Sequence, residues 1–110
     1  MTTINMRAGD TAPALDATLM TSDGTPIDLS GATVKAVMRE KFAPFNPIVD
    51  HATAVVVDAL AGKVRYNWTV PDTNTVGVYS FGFVVTFSGG TIRSVPSSGD
   101  GIEVVINPPL

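Results

Sequence analysis

Few residues of this chain could carry out chemistry, and their spacing favours structural roles. His51 is the single histidine, and the chain has no cysteine. A Ser-His-Asp triad would need His51 as its base, yet the sequence contains no Gly-x-Ser-x-Gly elbow. A metal site would need partners for His51, and the adjacent Asp50 points to the opposite face if the segment is extended. We therefore interpret His51 as a surface loop residue and predict neither catalytic residues nor metal ligands.

The carboxylates are explained mainly by turns. Half of the aspartates, namely Asp10, Asp23, Asp72 and Asp100, stand beside Gly, Pro or Thr, where an Asp side chain bonds its own backbone. The glycine-rich stretch at 97–101 has the form of a phosphate loop but lacks the lysine and the helix that such a loop requires. Its one carboxylate falls short of the about six to eight oxygen ligands that calcium takes. We predict that the protein is not an enzyme and binds no cofactor.

Length, composition and charge exclude several further classes of protein. The 110 residues suit one domain spanning 1–110, and 45% hydrophobic with 15% charged residues is a globular balance. A net charge of −3 without a cluster of cations argues against a nucleic-acid partner. No apolar stretch is long enough for a signal peptide or a membrane span, so we expect no membrane partner.

Apolar residues recur with a period of two along most of the chain, which predicts short β-strands separated by turns. The clearest segment is 78–88, where Tyr79, Phe81 and Phe83 share one face. Only 72–76 offers a place for a helical turn. The pattern predicts an all-β sandwich. Gly77-Val78-Tyr79 indicates a tyrosine corner, with Phe81 packing where antibody domains carry a cysteine, against Trp68.

The aromatic residues outside this segment divide into two groups. Trp68 and Tyr66 lie in the apolar phase of their strand, which favours the core; if they were exposed, they would form a sugar-binding platform. Phe42 and Phe45 lie in an irregular stretch at 41–50, so they are candidates for contact with a partner, although long loops also pack their own aromatics. Val37 stands between charged residues on a strand face that we expect to be exposed to solvent. It is therefore a further candidate for contact with a partner.

Both ends of the chain are expected to be arms that lie against neighbouring molecules. The opening segment 1–6 is polar and rich in threonine, with Ile4 and Met6 as its apolar contacts. The closing segment 107–110 ends in Leu110. We predict that these residues contact a partner.

Taken in order, these turn and strand segments resemble those of a known family. They are Arg7-Ala8-Gly9-Asp10-Thr11-Ala12-Pro13, Asp23-Gly24-Thr25-Pro26-Ile27-Asp28-Leu29-Ser30-Gly31-Ala32-Thr33-Val34, Gly62-Lys63-Val64, Tyr66-Asn67-Trp68, Asp72-Thr73, Gly77-Val78-Tyr79, Gly89-Gly90-Thr91, Pro96 and Val104-Val105-Ile106-Asn107-Pro108. This series is similar to the N-terminal domain of phage baseplate upper proteins. The resemblance implies an immunoglobulin-like antiparallel β-sandwich, here of seven to eight strands, that joins a receptor-binding apparatus to the tail. The resemblance implies no catalytic residues.

The resemblance and the residues together define the functions that we expect. Baseplate upper proteins continue beyond this domain, whereas this sequence stops at Leu110, so a capsid decoration protein is a second expectation beside a baseplate or tail subunit. The expected protein is a structural virion subunit, made in the bacterial host cytoplasm, that binds a larger virion protein or associates with itself into a symmetric oligomer. The alternatives are a carbohydrate-binding module for a bacterial surface, with Trp68 or Tyr66 exposed, and a small hydrolase, with His51 and carboxylates in a cleft.

Overall fold

The computed structural model describes residues 2–12, 14–21, 23–95 and 102–110, and these residues form a β-sandwich. The glycine-rich stretch considered above lies outside the described residues. The described part contains nine strands: β1 (Thr2–Arg7), β2 (Leu15–Thr18), β3 (Thr33–Glu40), β4 (Pro47–Thr53), β5 (Val55–Asp58), β6 (Lys63–Tyr66), β7 (Gly77–Thr86), β8 (Ile92–Val95) and β9 (Ile102–Asn107).

The strands form two sheets of unequal size. The larger, six-stranded sheet has the order β1-β9-β7-β3-β4, and β8 also pairs with β7; the smaller sheet has the order β2-β6-β5. All pairs are antiparallel except β1 with β9, which are parallel. The predicted all-β sandwich is confirmed, with nine described strands instead of seven to eight and with one parallel pair.

The core lies between the sheets and is built on the alternation predicted for β7. Tyr79, Phe81 and Phe83 are buried, and Trp68 from the connection after β6 packs edge-on against Phe81 with ring centroids 5.6 Å apart. Tyr66 joins the same cluster, 5.3 Å from Trp68. The predicted contact between Phe81 and Trp68 is therefore confirmed, and aromatic packing ties the two sheets together.

The tyrosine corner is also confirmed. The Tyr79 hydroxyl donates to the backbone carbonyl of Thr75 at 2.8 Å, so the chain entering β7 is fixed to the first buried residue of the strand. The helical turn lies at Val70–Thr73 and not at 72–76. It starts earlier than predicted because Pro71 suits a first helical turn and the Asp72 carboxylate accepts from the Thr69 N–H at 2.8 Å.

The N-terminal segment is a strand and not the expected arm. Residues of β1 pair with β9 in register, Ile4 opposite Val104 and Met6 opposite Ile106, so Ile4 and Met6 point into the sandwich. Met6 is only 4% exposed, and Ile4 packs against the core. Met6 is therefore too buried for the expected contact with a partner, and that expectation is corrected, whereas contact through Ile4 stays a prediction. At the other end, residues 108–110 follow β9 and are exposed.

Candidate interaction site

The loop between β3 and β4 carries the two most accessible aromatic rings of the described residues. Phe42 is 67% exposed and Phe45 is 53% exposed. Backbone bonds close the base of the loop: the Glu40 N–H donates to the Asn46 carbonyl, and the Lys41 N–H donates to the Val78 carbonyl, both at 3.0 Å. The loop is thus fixed while its rings face outward.

A third apolar side chain extends this surface. Val76, just before β7, is exposed and lines a cleft of about 190 Å³ together with Phe42. We call Phe42, Phe45 and Val76 the Phe patch. Phe45 has φ of 58°, a left-handed conformation that is an outlier for a bulky side chain. Such strain clusters at functional sites, because it persists only where the surrounding structure enforces it.

A second feature is a shallow groove of about 400 Å³ on the outer face of the six-stranded sheet. We call it the sheet groove, and its central residues are Val37, Arg39, His51, Gly82 and Val84. Gly82 stands directly opposite Val37 in the β3–β7 pair, so the absence of a side chain there leaves the depression. Val37 is half-buried on this face, which agrees with its predicted outward position.

His51 lies in β4 and not in a loop, and it touches Asp50. Between the pairs Met38–Val49 and Ala36–Ala52, β4 has two residues where β3 has one, which is a β-bulge. His51 has φ of 55°, so the expected alternation of Asp50 and His51 fails and His51 Nδ1 lies 2.7 Å from Asp50 Oδ1. Both side chains are exposed, as expected for a surface histidine.

The His51–Asp50 contact is not joined to a nucleophile in the described residues. Ser80 and Ser94 line the groove, but Ser80 lies on β7, two strands away from β4 and thus about 10 Å distant across the sheet. No hydrogen bond connects His51 with a serine hydroxyl in the part that the structure describes. That part also holds no group of three His, Asp or Glu residues arranged for a metal ion.

Tyr66 and Trp68 are inside the sandwich, so the rings required by the carbohydrate alternative are not on the surface. The Tyr66 hydroxyl donates to Asp72 Oδ2 at 2.6 Å, and Asp72 is itself buried. Burial, then the hydrogen bond to Asp72 and its charge, raise the pKa of Tyr66 well above its ordinary value. The hydrogen bond thus satisfies a buried carboxylate inside the sandwich.

Sequence reasoning identified Phe42, Phe45 and Val37 as surface residues but missed Val76, Arg39 and Gly82. Gly82, in the middle of a long strand, was an indication of the groove in the sequence. Such a glycine often marks a site where a ligand or another backbone approaches the strand closely. Leu110 is fully exposed. No helix within the described residues has the length and apolar character to cross a membrane.

Comparisons with known proteins identify the family and the fold. The family described as the BppU N-terminal domain matches residues 1–93. Among solved structures, CopC from Methylosinus trichosporium OB3b is similar with a TM-score of 0.52 and 14% identity, covering 98% of this chain and 86% of that chain, which supports the fold alone. No curated protein matches the chain. Since the family covers most of the sequence, the chain belongs to the N-terminal domains of phage baseplate upper proteins and is a structural domain of the phage baseplate.

Proposed function

We propose that this domain is a non-enzymatic assembly subunit of a tailed-phage virion that binds a larger virion protein through the Phe patch. Membership of this family supports a role in the phage baseplate with contacts to other virion proteins. Catalysis has no support in the site, where His51 and Asp50 lack a bonded nucleophile in the described residues.

The observation that carries the proposal is the outward presentation of Phe42 and Phe45 by a fixed loop. Burying a Phe side chain at an interface contributes about 1.5 to 3 kcal/mol. The two rings therefore give a modest contact, which repeated copies on one particle would strengthen through multivalency. Leu110, exposed beyond β9, adds an apolar contact in this proposal.

We further propose that the partner belongs to the baseplate and not to the capsid. Quantitative mass spectrometry of purified virions checks this, because a baseplate subunit is present at a few dozen copies or fewer and a capsid decoration protein at hundreds. A count in the hundreds would contradict the baseplate assignment.

The contact itself is tested with a tagged chain that competes for incorporation into virions of its phage. Phe42→Ser together with Phe45→Ser should reduce incorporation at least about tenfold, because both exposed rings are lost. Ile92→Ser is the matched control: Ile92 is also exposed but pairs with Thr86, at the opposite end of β7 from the patch. Equal incorporation of the double variant and the wild type would overturn the role of the Phe patch. Specific binding of the tagged chain to host surface polysaccharide would favour the carbohydrate alternative.

A further inference from the structure

The sheet groove has a cationic side. Arg39 forms no hydrogen bond or ion pair within the described residues, and Lys35 lies four residues away on the same face of β3. His51 stands on the neighbouring strand. Asp50 is the acidic group at this position, in contact with His51. The groove thus offers apolar walls at Val37 and Val84 beside the Arg39 guanidinium, which forms no ion pair within the described residues.

The turn between β5 and β6 has the complementary character. Leu60 lies in this turn and is 74% exposed. Asp58 ends β5 on one side, and Asp28 is close because the Leu29 N–H donates to the Ala59 carbonyl at 2.9 Å. We call Leu60, Asp58 and Asp28 the acidic knob.

The charge of the knob is well defined. Hydrogen bonds from the Ser30 side chain and backbone lower the pKa of Asp28, so its carboxylate stays ionised. Lys63 is opposite Asp58 in the β5–β6 pair and offsets part of the negative charge. Even so, an exposed leucine beside two carboxylates matches a groove with apolar walls and a free guanidinium.

The knob and the groove of one chain cannot meet. The knob projects from the end of the smaller sheet, whereas the groove lies on the outer face of the six-stranded sheet. The core separates the two sheets, so a contact between these surfaces has to join two molecules. Because the contact uses two different surfaces, it is heterologous and generates a ring or an open chain of copies.

We propose that the acidic knob of one copy inserts into the sheet groove of the next copy. Leu60 covers Gly82 between Val37 and Val84, and the carboxylates of Asp58 and Asp28 face Arg39 and His51. The Phe patch remains outside this contact, at the end of the sandwich away from the knob, so it is free for a different virion protein. This self-association does not depend on the function proposed above.

Sedimentation velocity of the purified chain tests the contact between roughly 1 µM and roughly 200 µM, where a modest single interface associates. The wild type should grow in mass with concentration, and less so as salt rises, because salt screens exposed charges. Leu60→Asp in the knob and Arg39→Glu in the groove should each weaken association at least about tenfold. Val55→Asp is the matched control, since Val55 is an exposed apolar residue of β5 outside both surfaces.

Mixing the two variants gives the decisive measurement. The Leu60→Asp chain keeps an intact groove and the Arg39→Glu chain keeps an intact knob, so an equal mixture should form dimers although neither variant associates alone. A mixture that stays monomeric would overturn the proposal, as would a wild type that is monomeric throughout the concentration range. Weakening by Val55→Asp equal to that by Leu60→Asp would do the same, because the contact would then lie elsewhere on the smaller sheet.

Discussion

At the scale of single residues, the hydrogen bond between Tyr66 and Asp72 stabilises a buried carboxylate inside the sandwich. The buried Asp72 carboxylate accepts from the Tyr66 hydroxyl at 2.6 Å and from the Thr69 N–H at 2.8 Å. Tyr66→Phe removes the first of these hydrogen bonds. Fewer hydrogen bonds then offset the loss of water around the buried carboxylate. We expect a loss of about 2 kcal/mol in the free energy of unfolding, measured with urea at neutral pH. Tyr79→Phe is the control and should cost about 1 kcal/mol, because its acceptor is the neutral Thr75 carbonyl.

The same pair gives this prediction a pH dependence with a definite sign. The pKa of Tyr66 is raised in the folded protein, chiefly by burial, so the folded state keeps its proton while the unfolded chain releases it near pH 10. The stability difference between wild type and Tyr66→Phe is therefore complete below about pH 10 and shrinks as the pH rises further. A difference that stayed constant from about pH 8 to about pH 11.5 would contradict the assignment.

At the scale of elements, Gly62 fixes the turn after β5 against the segment that follows β2. Its φ is +69°, and a Cβ there would lie 2.6 Å from the Leu19 carbonyl oxygen and 3.0 Å from that of Ile27. Backbone atoms cannot yield as a flexible side chain can, so Gly62→Ala should destabilise the protein by at least about 3 kcal/mol. Gly90→Ala is the control: φ is similar at +88°, nothing lies within 4 Å, and the expected cost is about 1 kcal/mol. Urea unfolding compares the two, and equal losses would show that strain alone acts at Gly62.

The elements also show what the sequence could predict and what it could not. Period-two alternation in β3, β6, β7 and β9 is visible in the residue types, because each strand has one face in the core. The alternation of Ile4 and Met6 in β1 was equally visible. Its partner strand β9 lies at the other end of the chain, however, and no local sequence pattern indicates pairing between such distant segments. The bulge at His51 is a matter of register between two strands, so composition does not reveal it. The accessible rings at Phe42 and Phe45 followed from a loop that lacks periodicity, whereas the sheet groove depends on which strands become neighbours of Gly82.

At the scale of the whole molecule, the smaller sheet depends on the larger one. Its strands β2, β5 and β6 have four residues each, which is too little for independent stability, and the Tyr66–Trp68–Phe81 cluster crosses between the layers. We therefore propose that residues 1–110 form one domain and predict a single unfolding transition. Far-UV circular dichroism reports the strands, and iodide quenching of the single tryptophan reports the core, because Trp68 is 5% exposed in the folded state.

The two signals should coincide along a urea titration, and quenching of native Trp68 should be weak compared with that of a free tryptophan analogue. Coincidence follows because exposing Trp68 removes Tyr66 and Phe81 from their packing and leaves the short strands of the smaller sheet without a covering layer. If Trp68 became accessible to iodide at a urea concentration where the circular dichroism was still native, the sheets would separate before their strands melt. The sandwich would then consist of two layers that unfold independently, and neither the Phe patch nor the sheet groove would be held by a common core.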